Sequence, residues 1–202
     1  MTNSRSDSKD LVAGWADQKI SDSFRKYNHL FEERTNSVIP KLRKILNAFS
    51  YEKIGTQHFS SVTGIGHGDV GREAIDRVYA HVLGAEKAAV RMQFVSGTHA
   101  ITAALFGVLR PGDSLLSITG RPYDTLEEVI GLRGQGQGSL SDFGIQYNSI
   151  QLLKGGQIDF SSLAEALKSP QKMVFIQRSC GYSWRPSLSI NSIQKACNFI
   201  HA

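Results

Sequence analysis

Apolar positions follow two periods along this chain. Between residues 16 and 49, Leu30, Phe31, Val38, Ile39, Leu42, Ile45, Leu46 and Phe49 recur about every 3.6 residues, which predicts an amphipathic helix. A glycine-rich stretch, "TGIGHGDVGRE" from Thr63, leads into a second predicted helix with apolar positions Ile75, Val78, Tyr79 and Val82. From there short strands alternate with helices. "KAAVRMQFV" reads as a buried strand, followed by a helix after Thr98 carrying Ile101, Ala104, Leu105 and Val108. The turn "RPGD" at Arg110 precedes the strand "SLLSIT", and "YDTLEEVIG" is a helix closed by Gly131. "GLRGQGQGSLSDFG" has too many glycines for a stable helix and predicts a long flexible loop, either functional or a tolerated insertion. Then come a strand "IQYNSIQL", a helix "DFSSLAEALK" with Asp159 as cap, a strand "KMVFIQRS" and a closing helix "SINSIQKACNFIHA".

Such alternation implies an α/β fold: a mainly parallel sheet, joined by right-handed crossovers and covered by helices on both faces. Ligands in these sheets bind beyond the carboxyl ends of the strands, near a switch in strand order. The segments to inspect are therefore Ser96 to Thr98, Gly120 to Asp124 and Arg178 to Arg185.

Composition narrows the classes. At 202 residues and 41% hydrophobic content the chain suits one good-sized folded domain. No apolar run approaches the roughly 18 residues of a membrane span, and "MTNSRSDSKD" lacks the apolar core of a signal peptide, so a cytoplasmic protein with no membrane partner is expected. The net charge of +5 is scattered among acidic residues and forms no stripe, which argues against nucleic acid. Cys180 and Cys197 form no Cys-x-x-Cys pair, and His58, His67, His81 and His99 stand in no ligand motif, so no metal site is expected.

At the strand ends, two readings stay open for each feature. Gly97 lets backbone approach a bound group, and the N–H groups of Gly97, Thr98 and His99 at a helix start suit a phosphate; equally, Ser96 reads as a plain helix cap. Tyr123 would stack on a planar cofactor or simply pack. Arg178, Ser179, Tyr182 and Arg185 form a basic, polar turn that would receive a carboxylate or phosphate, or face solvent. No phosphate-loop motif with Gly-Lys-Ser/Thr exists, and "GIGHGDVG" lacks the preceding strand and partner acid of a dinucleotide fingerprint.

Taken together, "TGIGHGDVGREAIDRVYAHVLGAE", "QFVSGTHAITAALFGVLRPGD", "TGRPYDTLEEVIG" and "IQRSCGYSWRPSLSI" resemble the methionine gamma-lyase-like, so-called aluminium resistance proteins, from about Phe24 onward. These are fold-type I enzymes that use pyridoxal 5′-phosphate (PLP). The resemblance implies a three-layer α/β/α large domain, here incomplete, over residues 63–202, preceded by a helical segment over residues 1–62. It further implies that Ser96, Gly97, Thr98 and His99 hold the PLP phosphate, that Tyr123 stacks on the ring, and that Arg178 and Ser179 line the site. His67 and Arg72 would reach the phosphate of a neighbouring subunit in a homo-oligomer, and Tyr182 and Arg185 would meet an amino-acid substrate. One departure is local: Gly64-Ile65-Gly66-His67 replaces a Gly-Tyr-Gly-Tyr usual in the family. Another is larger, because the aspartate phrase that pairs with the pyridine nitrogen and the lysine phrase that carries the cofactor are not in these residues, and Lys154, Lys168, Lys172 and Lys195 match neither. The expectation is thus the N-terminal portion of a PLP-dependent carbon–sulfur lyase acting on sulfur amino acids, with no catalytic residue of its own. The alternative is a non-catalytic remnant or an assembly partner of a separate C-terminal half.

Overall fold

The structure is a computed structural model that describes residues 4–62, 69–134, 137–179 and 181–202, with side chains from residue 12 onward. The expected glycine-rich stretch from Thr63, with His67, therefore lies largely outside the described residues. Two compact units divide the chain, Met1–Arg91 and Met92–Ala202.

In the first unit, helix α1 (Ser4–Tyr51) is longer than the apolar period predicted and runs through Pro40, whose ring nitrogen has no hydrogen to donate to the turn before it. The amphipathic stripe is present, but it is not buried: Phe24 is 60%, Phe31 52% and Leu42 51% exposed, while Ala48 near the end is fully covered. Helix α2 (Val70–Leu83) starts on Asp69, whose carboxylate accepts the Arg72 N–H, and stops at Gly84 in a left-handed conformation (φ +67°) that suits a residue without Cβ. Its buried side is Ala74, Val78 and Ala80. Arg77 pairs with Glu52 at 2.7 Å.

The strand expected over "KAAVRMQFV" does not form. At its centre the Val90 N–H is taken by a side chain in place of a sheet neighbour: the Asp76 carboxylate accepts it at 2.7 Å and also accepts the Arg91 guanidinium at 2.7 Å. That pairing with Arg91 holds the Asp76 carboxyl below its ordinary value. Beyond it Met92 is 95% and Val95 82% exposed, so the apolar run is not the buried stretch that its composition suggested.

In the second unit the expected architecture stands. Strands β1 (Ser114–Ser117), β2 (Gln146–Ser149) and β3 (Met173–Phe175) form a parallel sheet in the order β2-β1-β3, with Leu116 of the central strand opposite both Asn148 and Val174. Successive side chains of a strand face opposite sides, and β1 shows the consequence. Leu115 packs with Leu105 and Leu109 of the α3 region (helix α3, Gly97–Val108) and with Leu126 and Ile130 of α4 (Asp124–Ile130). Leu116 and Ile118 pack with Leu163 of α5 (Phe160–Ala166) and Ala196 of α6 (Ile190–Ile200). Helices thus cover both faces.

The β1-α4-β2 crossover moves to one side of β1, and β2-α5-β3 returns across it to the other side. The strand order reverses at β1, so its carboxyl end and that of β3 form the switch point at which a crevice opens.

The loop after Gly131 is only partly as expected. Residues 135–136 lie outside the described set, but the following segment is tied down: Leu140 is 1% exposed, and the Asp142 carboxylate accepts the N–H groups of Gly138 and Ser139, each at 2.9 Å. One apolar anchor and an acid that accepts backbone N–H groups convert a glycine-rich sequence into a fixed turn.

Candidate functional site

A cleft of about 710 Å³ opens at the switch point, lined by Gly97 and Thr98 from the start of α3, Tyr123 and Thr125 from the start of α4, and Gln177 to Ser179 after β3. Each wall is a strand end or a helix start, so the backbone there offers groups that no regular ladder consumes.

At α3, the Ser96 backbone is extended (φ −157°, ψ 165°) and its hydroxyl accepts the His99 N–H at 3.0 Å. The capping reading is therefore realised; it takes the His99 N–H out of the three donors expected for an anion and leaves those of Gly97 and Thr98. A cap takes one donor of the first turn, and the Gly97 and Thr98 N–H groups have no intrahelical acceptor. A Cβ built on Gly97 would meet nothing within 4 Å, so packing inside the chain does not demand this glycine. What the missing Cβ leaves is open backbone at the cleft wall. The Thr98 and Thr125 hydroxyls lie 2.7 Å apart and join the starts of α3 and α4.

Across the cleft, the Tyr123 ring is half-buried and stacks with Tyr182, with ring centroids 6.0 Å apart and planes inclined by 21°. A Cβ on Gly181 would sit 3.4 Å from the Tyr123 ring edge, so the glycine permits that close approach. Tyr182 itself is 84% exposed.

Sequence reading passed over Gln177, yet it makes the most connections in the site. Its N–H donates to the Thr119 hydroxyl at 2.9 Å, its side-chain oxygen accepts the Tyr123 N–H at 2.8 Å, and its side-chain nitrogen donates to the Ser179 carbonyl at 2.9 Å. Only a side chain with both an acceptor and a donor serves these partners, which fixes the amide orientation. A glutamine at the end of a strand carries no sequence signal of this kind; Thr125 was missed for the same reason.

The arginines divide. Arg185 spends its guanidinium on backbone carbonyls, donating to Gln177 at 3.0 Å and to Arg178 and Pro186 at 3.3 Å, and so shapes the turn after β3. The Arg178 guanidinium is exposed at the cleft rim with no side-chain partner among the described residues. Ser179 lines the cleft, and His99 turns its ring edge-on to Phe94 at 5.5 Å. In the other unit, Arg72 lies 3.3 Å from the Asp69 carboxylate. Lys168 is paired with Glu165 at 2.6 Å, Lys154, Lys172 and Lys195 are exposed elsewhere, and no lysine or acidic residue is among those lining the cleft. Among the described residues no three His, Cys, Asp or Glu side chains converge as a metal site would require, and no helix is long and apolar enough to cross a membrane.

The family model for methionine gamma-lyase matches residues 13–202. A Bacillus subtilis protein, the uncharacterized YnbB, is 49% identical over 158 residues, which is 78% of this chain and 38% of that protein. Among solved structures, a candidate cystathionine beta-lyase involved in aluminium resistance from Listeria monocytogenes is 46% identical with a TM-score of 0.85, covering 89% of this chain and 44% of that one. A carbon-sulfur lyase involved in aluminium resistance from Clostridium novyi NT is 39% identical with a TM-score of 0.79, covering 95% of this chain and 45% of that one. The chain spans less than half the length of these proteins.

Proposed function

This chain belongs to the methionine gamma-lyase family, and from that premise we propose that residues 92–202 supply the phosphate- and ring-binding half of a PLP site in a carbon–sulfur lyase acting on sulfur amino acids. The observation that carries the reading is the cleft itself. It joins open backbone at Gly97, the start of α3, an aromatic ring at Tyr123 and the exposed cation of Arg178.

Those features fit the cofactor's two ends. A phosphate would accept from the Gly97 and Thr98 N–H groups at the positive end of α3, and Ser96 keeps the His99 N–H oriented by capping it. Tyr123 would face the pyridine ring, and Arg178 and Ser179 would bind the phosphate or the substrate carboxylate at the rim. When bound, PLP supplies the electron sink that lets a Cα–H bond and then a carbon–sulfur bond of an amino acid break. The described residues hold and orient; none that lines the cleft offers an amine or a carboxylate to move a proton.

The test is a titration of the 202-residue chain with PLP, followed by the cofactor's own absorbance and fluorescence, with Arg178→Ala beside it. Saturable binding that weakens several-fold in the variant is expected, together with no lyase turnover by these residues alone. A full-length relative of the family is expected to release a keto acid and ammonia from a sulfur amino acid. Absence of saturable binding would sink the reading. An amino-acid substrate and a homo-oligomeric assembly belong to the same proposal, and analytical sedimentation tests the second.

A further inference from the structure

The residue whose ring the proposed site depends on is held at both of its backbone polar groups. Tyr123 immediately precedes α4 and its carbonyl accepts the Leu126 N–H at 2.8 Å, while its own N–H is directed away from α4 to the side chain of Gln177 at 2.8 Å. Gln177 is in turn fixed from three other directions: by the Thr119 hydroxyl at 2.9 Å, by the Ser179 carbonyl at 2.9 Å and by the Arg185 guanidinium on its own carbonyl at 3.0 Å. One residue therefore joins three places: its backbone meets the end of β1 and Arg185, and its side chain ties the start of α4 to the turn after β3.

We infer that Gln177 is a positioning residue: it sets the Tyr123 ring for stacking on a planar heteroaromatic cofactor. The inference rests on the cofactor reading of the cleft and adds to it the group that orients the ring. Gln177 need not touch the cofactor to act. Tyr123 is reached through its backbone N–H, so rotation of that peptide moves the ring with it, whereas the α3 start that would receive a phosphate makes no hydrogen bond to Gln177. Loss of the latch should therefore weaken recognition of the ring and leave recognition of the phosphate in place.

This separation is measurable on the 202-residue chain with PLP and inorganic phosphate as the two probes. Gln177→Met keeps the length of the side chain and removes both polar partners. Gln177→Glu keeps the acceptor for Tyr123 and loses the donor to Ser179; because its added negative charge bears on both anionic probes, their ratio is read and not either affinity alone. The expected result is that Q177M lowers the ratio of PLP to phosphate affinity by roughly three- to tenfold, the range set by loss of an aromatic stacking contact. Q177E should hold the ratio near that of the unmodified chain. Amide exchange at Tyr123 should quicken in Q177M and stay slow in Q177E. Equal losses for both probes in Q177M would mark general damage and overturn the assignment, as would a ratio in Q177E as low as in Q177M. If the unmodified chain binds no PLP, the cofactor reading falls and takes the role of the latch with it. Unaltered Tyr123 exchange in Q177M, by contrast, overturns the latch alone.

Discussion

Ser96 shows how one residue serves stability and leaves chemistry available. Its hydroxyl accepts one N–H, that of His99, and this satisfies a donor that would otherwise need water. Ser96→Ala is expected to lower the stability of the unit by about 1 kcal/mol, a usual loss for a cap, read from the urea midpoint. The dependence of PLP binding on Arg178 should survive in that variant, because the Arg178 guanidinium makes no contact with Ser96. Asp76 carries a pH dependence. The Arg91 guanidinium and the Val90 N–H hold its carboxyl below the ordinary value, and a depressed carboxylate stabilises the fold above its unfolded pKa. That contribution is lost as pH falls through the folded-state pKa, in the acid range below the ordinary carboxylate value. Asp142 and Asp159, each lowered chiefly by backbone N–H donors, act with the same sign. Asp76→Asn should flatten the acid limb of stability against pH, followed by far-ultraviolet circular dichroism; an unchanged limb would remove Asp76 from that account.

Among the elements, α4 and α5 place the sheet's two faces, and each has a residue on which its end or its packing depends. Gly131 ends α4 with φ +97°, and a Cβ there would lie 2.6 Å from the Ser139 hydroxyl and 2.9 Å from the Ser141 Cβ. Gly131→Ala combines a left-handed conformation that costs about 1–2 kcal/mol with a contact that must shift, so the loss should exceed that range, measured by chemical denaturation. Leu163 of α5 is fully buried between β1 and α6, and Leu163→Ala is expected to lose roughly 2–5 kcal/mol. Both features were legible in the sequence, since a glycine after a periodic run and an apolar position in a capped helix are signals of local chemistry. The strand expected over "KAAVRMQFV" was not, because Val90 and Arg91 are claimed by Asp76, a residue of α2 that lies far away in sequence. The candidate site divides in the same way. Ser96 and Gly97 stand out at the start of an apolar helix and Tyr123 by its position after β1, whereas Gln177 and Thr125 matter through partners 54 and 27 residues distant, which no local pattern encodes.

Across the whole molecule the most consequential feature is apolar surface. Helix α1 carries Phe24, Phe31, Val38, Leu42 and Leu46, each at least half exposed, along a stripe that in an ordinary surface helix would face a core. Monomers rarely leave so continuous a patch in water, because each exposed side chain forgoes the free energy of burial. Strand β3 adds a second unprotected element, an edge whose outward N–H and C=O groups have no strand beside them among the described residues. The isolated 202-residue chain should consequently bind a hydrophobic dye strongly and self-associate with rising concentration, as seen by light scattering after size exclusion. The two sources are separable. Phe24→Glu together with Leu42→Glu places charges on the α1 stripe without touching the sheet, and should reduce dye binding and association while leaving PLP affinity unchanged. If association persists undiminished in that variant, α1 is not its cause. Exposed Lys172 already sets a cation beside β3, so Lys172→Ala should raise association if the edge contributes, and unchanged association would clear the edge.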